Sequence, residues 1–437
     1  MSSRPLSRRS FLASAAAFAA APALPRFAVQ SPLATLNVAC IGVGGMGGAD
    51  LASVAACRNV RIVGLCDVDA GHLAAAAKAH PTARTFTDFR VLLDELGKDV
   101  DAVTVSTPDH MHGPIAIAAL LREKHVYCQK PLAHNLRECR RMTELAARHR
   151  LVTQMGIQIH AHEAYRTAIE ALRAGVLGKV REAHVFDGKS WAGPAAGRPQ
   201  QSDPVPESLA WDLWLGVAPE RPFVKGLYHP GNWRGWLDFG SGTLGDMGCH
   251  IFDPVFAGLG LTAPREVVSR GPAHHEETFA GDGDVLYTFP ASAITAGELP
   301  FRWTDGKVRP DAGKAQLPPD VKLPGAGSFV VGERGVMVLP HWGMPTFYRD
   351  GKAIELPVTA QPAKNHYEEW TDACRGEGAT SASFAYAGPL SEAVLLGTIA
   401  GRFPGKVLRW DGKAQRIDDA VANGLVGRSY RKGWEVG

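Results

Sequence analysis

The chain has 437 residues, 45% hydrophobic and 21% charged, with a formal net charge of +3. This is ordinary soluble globular composition for two or three domains. So small a net charge gives no global sign of a nucleic-acid partner.

In chain order, residues 1–35 read as an export signal and a tether. Ser7-Arg8-Arg9-Ser10-Phe11-Leu12 is a twin-arginine (Tat) pattern in a basic stretch that also holds Arg4. An Ala-rich apolar run, Phe11 to Ala21, follows it and leads to the small-residue site Ala21-Pro22-Ala23. The run is too short to span a bilayer comfortably, and no later run reaches ~18 apolar residues. The expectation is a bacterial protein handed to the Tat machinery and soluble in the periplasm or outside the cell.

Residues 36–158 read as a nucleotide-binding domain. Leu36–Ile41 is an apolar strand, Met46–Ala56 a helix, and Val60–Cys66 a second strand ending at Asp67. Helices at 71–80, 114–123 and 136–149 alternate with strands at 102–107, 125–129 and 152–157. Such alternation implies a doubly wound parallel sheet covered on both faces. Residues 159–437 read as an α+β domain on a mostly antiparallel open sheet, part of whose C-terminal segment is expected to pack back on the first domain. Helices are expected at 163–177, 243–258, 365–375 and 388–401, with Pro254 kinking or dividing the second. Asp350-Gly351 and Asp411-Gly412 mark hairpins.

The turn Gly42-Val43-Gly44-Gly45-Met46-Gly47 closes the first strand and opens the first helix, with Asp67 twenty residues on. Gly42 permits the tight turn, Gly44 lets backbone approach a pyrophosphate, and Gly47 allows close helix–strand packing. Gly45 and Met46 belong to the same cradle, where a helix N-terminus offers N–H groups to phosphate. Asp67 can accept from both ribose hydroxyls and repels a 2′-phosphate, so NAD is expected over NADP. Thr107, Pro108, His110 and His112 follow the next strand, at the sheet edge where ligands sit.

Cys128-Gln129-Lys130-Pro131 ends the following strand and aims Lys130 into the same cleft. In Gly245-Asp246-Met247-Gly248-Cys249-His250, Asp246 and His250 are four apart and share a helix face. Oxidising an alcohol removes a proton from oxygen and a hydride from carbon. An imidazole suits the proton, an ammonium polarises the oxygen, and an aspartate orients. The seven cysteines show no C-x-x-C spacing, and neither a metal site nor a disulfide framework is expected.

These motifs, with Ser-Thr-Pro-Asp-His-Met-His from Ser106 and Met-Gly-Ile-Gln-Ile-His from Met155, resemble the Gfo/Idh/MocA oxidoreductase family across nearly all of the mature sequence. The resemblance implies that Lys130, Asp246 and His250 form the catalytic group, with Gln129 and Lys130 beside the nicotinamide. Gln129 stands where that family's motif has glutamate, which leaves the charge partner of Lys130 open.

Gln158, His160, Tyr165, Arg166, Trp233 and Arg234 are the candidate substrate contacts, together with His250. Most of the tryptophans between 191 and 236 are expected to fill core, with one or two facing the ligand. The leading expectation is an exported NAD-dependent oxidoreductase acting on a ring hydroxyl of a sugar or glycoside, with a tightly held, recycled cofactor. Redox-assisted glycoside cleavage is the second, and a non-catalytic sugar- or nucleotide-binding protein the third. A homo-oligomer is expected.

Overall fold

The computed structural model describes residues 35–315 and 317–436; the twin-arginine segment and its tether up to Ala34 lie outside them. The first domain runs β1 (Leu36–Ile41), α1 (Met46–Ala55), β2 (Val60–Cys66), α2 (Ala70–Ala79), β3 (Arg84–Phe86), α3 (Phe89–Leu96), β4 (Ala102–Val105), α4 (Asp109–Leu121), β5 (His125–Cys128), α5 (Leu136–His149) and β6 (Thr153–Met155). Its strands pair in parallel in the order β3-β2-β1-β4-β5-β6. The order reverses between β1 and β4, and a crevice opens there beyond the strands' carboxyl ends.

Side chains cap most of these helices. Asp69 accepts from the N–H groups of Gly71 and His72 at α2, Asp88 caps α3, and Asn135 caps α5. The N-terminus of α1, at the glycine turn, has no side-chain cap.

The second domain continues with α6 (Glu163–Arg173), β7 (Val180–Asp187), α7 (Trp211–Leu215), α8 (Gly242–Leu259), β8 (Glu266–Ser269), β9 (Asp284–Phe289), β10 (Leu299–Asp305), β11 (Gly327–Gly332), β12 (Gly335–Pro340), β13 (Thr346–Arg349), β14 (Lys352–Ile354), α9 (His366–Cys374), α10 (Phe384–Ala400), β15 (Leu408–Asp411) and β16 (Arg416–Ile417). Its sheet order is β14-β13-β12-β11-β7-β10-β9-β8-β15-β16, antiparallel except where β7 meets β10. Among the described residues no helix is long and apolar enough to cross a membrane.

The expectations need three corrections. The stretch between His80 and Ala102 holds β3 and α3. Phe89, Leu92, Leu93 and Leu96 are buried at helical spacing, which sets this segment as a helix. Helix α4 starts at Asp109, so Pro114 lies inside it and His110 and His112 stand on its first turn rather than in a loop. Helix α8 is unbroken through Pro254. The proline lacks only the N–H that would have bonded the His250 carbonyl. The Asp350-Gly351 hairpin forms as expected, both residues at positive φ (49° and 69°).

The C-terminal segment packs back on the first domain. Trp370 and Cys374 of α9 join Leu36, Val38 and Cys40 of β1 in one core cluster. Arg140 of α5 makes two hydrogen bonds, 3.0 and 2.9 Å, to Glu392 of α10. Trp370 is fully buried. Trp370→Ala should therefore cost about 3–5 kcal/mol and unfold the nucleotide-binding half along with α9. Urea titration followed by far-UV circular dichroism checks this.

Candidate active site

A cleft of about 900 Å³ lies at the carboxyl edge of the parallel sheet, with α8 and the ends of β7 and β12 as its other wall. At its nucleotide end, a Cβ on Gly42 would sit 2.6 Å from the Ser106 carbonyl oxygen, and Gly42 holds φ +78°. A Cβ on Gly47 would sit 2.1 Å from the Gly42 carbonyl oxygen. Only glycine fits at either position; Gly42 lines the crevice, while Gly47 packs behind it and does not. Gly44, Gly45 and Met46 line the crevice beside the uncapped start of α1. The Asp67 carboxylate accepts the Val43 N–H at 2.9 Å and the Asp69 N–H at 2.9 Å, so it also braces the glycine turn. Thr107 and Pro108 line the cleft, and the Thr107 Oγ1 is buried with no hydrogen-bond partner. An uncapped helix start, a glycine cradle and an orphaned hydroxyl together fit a dinucleotide.

His112 and His110 have separate roles. The two ring nitrogens of His112 lie 2.8 Å from the carbonyl oxygens of Pro131 and Thr107, tying together the loops after β5 and β4 at the cleft wall. His110 is fully buried, bonds the Trp214 carbonyl at 3.0 Å and packs on Phe239, away from the cleft lining. Its burial pushes the imidazole down to about 3, so it stays neutral.

The chemical end is built from both domains. Lys130 Nζ donates to the Asp246 Oδ1 at 2.6 Å and to the Asp246 carbonyl oxygen at 2.9 Å. Trp191 Nε1 donates to the other carboxylate oxygen at 2.7 Å, and Arg234 Nε stands 3.6 Å from Oδ1. Burial would raise the Asp246 carboxyl, but the Lys130 ammonium beside it and then Arg234 hold it well below the carboxylate range. Lys130 thus finds its charge partner across the domain boundary. One turn along α8, His250 faces the same cleft with its Nδ1 unpartnered. Burial first, then the Lys130 charge, pushes its pKa well below the ordinary imidazole value.

Gln129 also lines the cleft but takes a different partner. Its Nε2 donates to both carboxylate oxygens of Asp50, at 3.1 and 2.9 Å. Asp50 also accepts from Ser106, Tyr367 and, at 3.5 Å, Gln158. Burial raises this carboxyl even though those donors favour its ionised form. Asp50 was not among the expected site residues; a lone acid on an otherwise small and apolar helix was its signal.

The substrate candidates divide. Gln158, Trp233 and Arg234 line the cleft, and the Arg234 guanidinium lies 4.3 Å from the Trp233 ring centroid. His160, Tyr165 and Arg166 do not. His160 is paired with buried Asp253 at 2.8 Å, and Arg166 Nε donates to the Pro362 carbonyl. Tyr165 stands behind the cleft with its hydroxyl 2.8 Å from His341 Nδ1. Most of the tryptophan-rich segment is core, as expected: Trp214, Trp233 and Trp236 cluster with Phe223, Tyr228 and Phe239. Asp187, Lys189, His341 and Trp342 also line the cleft. They leave the ends of β7 and β12, which no local motif links to the nucleotide turn. Among the described residues no cluster could hold a metal ion.

A family model described as "Oxidoreductase family, NAD-binding Rossmann fold" matches residues 36–157, and its companion "Oxidoreductase family, C-terminal alpha/beta domain" matches residues 171–295. The chain belongs to the Gfo/Idh/MocA oxidoreductase family. It is 28% identical to an inositol 2-dehydrogenase of Salmonella paratyphi B over 34% of this chain and 45% of that protein. It is 26% identical to a levoglucosan dehydrogenase of Pseudarthrobacter phenanthrenivorans over 50% of each. The chain thus spans about half the length of the curated relatives it matches. The fold is shared with the WlbA dehydrogenase from Bordetella pertussis in complex with NADH and UDP-GlcNAcA, at TM-score 0.60 and 16% identity over 86% of this chain and 99% of that one.

Several imidazoles are folded in neutral. Burial pushes His110 and His366 down to about 3. The unfolded chain, with histidines near 6.5, binds more protons than the native one below that pH, so stability falls as pH drops through and below about 6.5. The urea midpoint should be lower at pH 5.5 than at pH 7.5, and His110→Phe should reduce the difference if it folds.

Proposed function

We propose that this protein is an exported, NAD-dependent oxidoreductase acting on a ring hydroxyl of a sugar or glycoside. The observation that carries the reading is the convergence of Lys130, Asp246 and His250 in the cleft that begins at the glycine turn. The inositol and levoglucosan dehydrogenases among the relatives support a carbohydrate substrate.

NAD, when bound, supplies the hydride acceptor. The rest falls to the chain's own groups. The Lys130 ammonium, held by Asp246, polarises the substrate oxygen. The neutral imidazole of His250 takes the hydroxyl proton. Asp246, clamped by Lys130 and Trp191, keeps the ammonium in register with that imidazole. Asp67 favours NAD by repelling a 2′-phosphate. Ser7–Leu12 supports Tat export. Since free nicotinamide nucleotide is scarce outside the cytoplasm, the cofactor is held tightly and recycled in place, and homo-oligomers are expected. A second imidazole beside His250, that of His341 with ring centroids 5.9 Å apart, favours a second reading: transient oxidation, elimination of an aglycone and re-reduction.

The direct experiment denatures the purified mature protein, identifies released nucleotide by mass and counts it per chain. Near-stoichiometric NAD is expected; an empty chain that also fails to bind added NAD would overturn the reading. Lys130→Met should keep the nucleotide but lower turnover by ~10²-fold or more. Because His250 titrates well below its usual value, the acid limb of the kcat/KM profile should lie below pH ~6.5. Asp67→Ser should narrow the preference for NAD over NADP, read from the two dissociation constants.

A further inference from the structure

We propose that Trp342 forms an outer sugar subsite of the cleft, so that the natural substrate is a glycoside or oligosaccharide whose second ring rests on that indole. This rests on the carbohydrate reading above and narrows its substrate class.

Trp342 is 69% exposed, the one tryptophan among the exposed large hydrophobics of the described residues. An isolated exposed apolar side chain needs no explanation, but this one lines the cleft. It is also held in place. It follows β12 in a short turn where His341 N donates to the Ala326 carbonyl at 3.0 Å and Gly343 N to the Pro340 carbonyl at 3.2 Å. The His162 ring meets the indole edge-on, centroids 6.0 Å apart at 84°, and His341 packs on it at 5.2 Å. An aromatic face open to water where the cleft meets solvent suits the C–H face of a sugar, and an indole packed by two neighbouring rings loses little side-chain entropy on binding.

The neighbouring groups fit the same ligand. His250, His341 and Trp342 form a series, with centroid separations of 5.9 and 5.2 Å, leading outward from the reacting group. A single ring placed for chemistry at Lys130 and His250 leaves the indole uncovered; a second ring beyond His341 covers it. Tyr165 is fully buried, and its hydroxyl lies 2.8 Å from His341 Nδ1, which holds that imidazole in place between His250 and Trp342 and leaves its Nε2 as the ring nitrogen without this partner. His341 and Trp342 lie beyond the segments matched by the family models, which end at residue 295.

The test titrates cellobiose, maltose and lactose against glucose and galactose on the purified chain, by calorimetry and tryptophan fluorescence. At least one disaccharide should bind tenfold or more tightly than its component sugars. Trp342→Ala should abolish that gain and leave monosaccharide affinity within twofold, and Trp342→Phe should keep most of it. Equal binding of single and double rings, no binding of any of the five, or a gain that survives Trp342→Ala would overturn the proposal. So would a change of oligomeric mass in Trp342→Ala, which would make the indole an interface between copies. Bound NAD is counted on the same samples: NAD present without a disaccharide gain removes this proposal alone, and a gain without NAD binding removes the oxidoreductase reading alone.

Discussion

The ion pair between Lys130 and Asp246 is the constraint on which the site depends. Lys130 follows β5 in the parallel domain and Asp246 rides on α8 of the second. Taking both charges out of water costs several kcal/mol each, which their attraction offsets only if the remaining polar atoms are also satisfied. Here the ammonium reaches a carboxylate oxygen and the backbone carbonyl of the same residue, while Trp191 satisfies the second carboxylate oxygen. A shift of one domain against the other would strand both charges. The pair therefore fixes the relative position of the domains at the point where chemistry would occur, and α8 carries His250 into place with it.

Beneath that pair lies a second buried acid with the opposite solution. Asp50 has no cation among its hydrogen-bond partners; it accepts from Ser106, Gln129, Gln158 and Tyr367, all neutral donors. These come from the ends of β4, β5 and β6 and from α9. Gln129 is thus the complement of Asp50. A glutamate at 129 would set two carboxylates against each other in a buried place, where like charges are costly.

The parallel domain was legible because its signals are local. An apolar run, a glycine turn and a carboxylate twenty residues on are all readable within one β-α-β unit, and Asp246 and His250 announce themselves by helical spacing. Lys189, His341 and Trp342 were not legible as a group, because their meeting is made by sheet order rather than by sequence spacing. His341 and Trp342 reach the cleft only because β12 pairs with β11 and β11 with β7. The histidines at 110 and 160 stand outside the cleft lining for a related reason. Sequence places them near the cleft, but one nitrogen of each is turned to a buried partner, the Trp214 carbonyl for His110 and Asp253 for His160.

The packing of α9 against β1 has a consequence for how the chain is made. Strand β1 and Trp370 share one core cluster, and Arg375 Nη1 donates to the Arg58 carbonyl at 3.0 Å. A ribosome releases the nucleotide-binding half long before the residues that cover one of its faces. Between the end of that half at residue 157 and the start of α9 at His366, that face of the sheet lacks its cover. The nucleotide-binding half is therefore complete only once α9 has joined it, and order in the first strand waits on residues far down the chain.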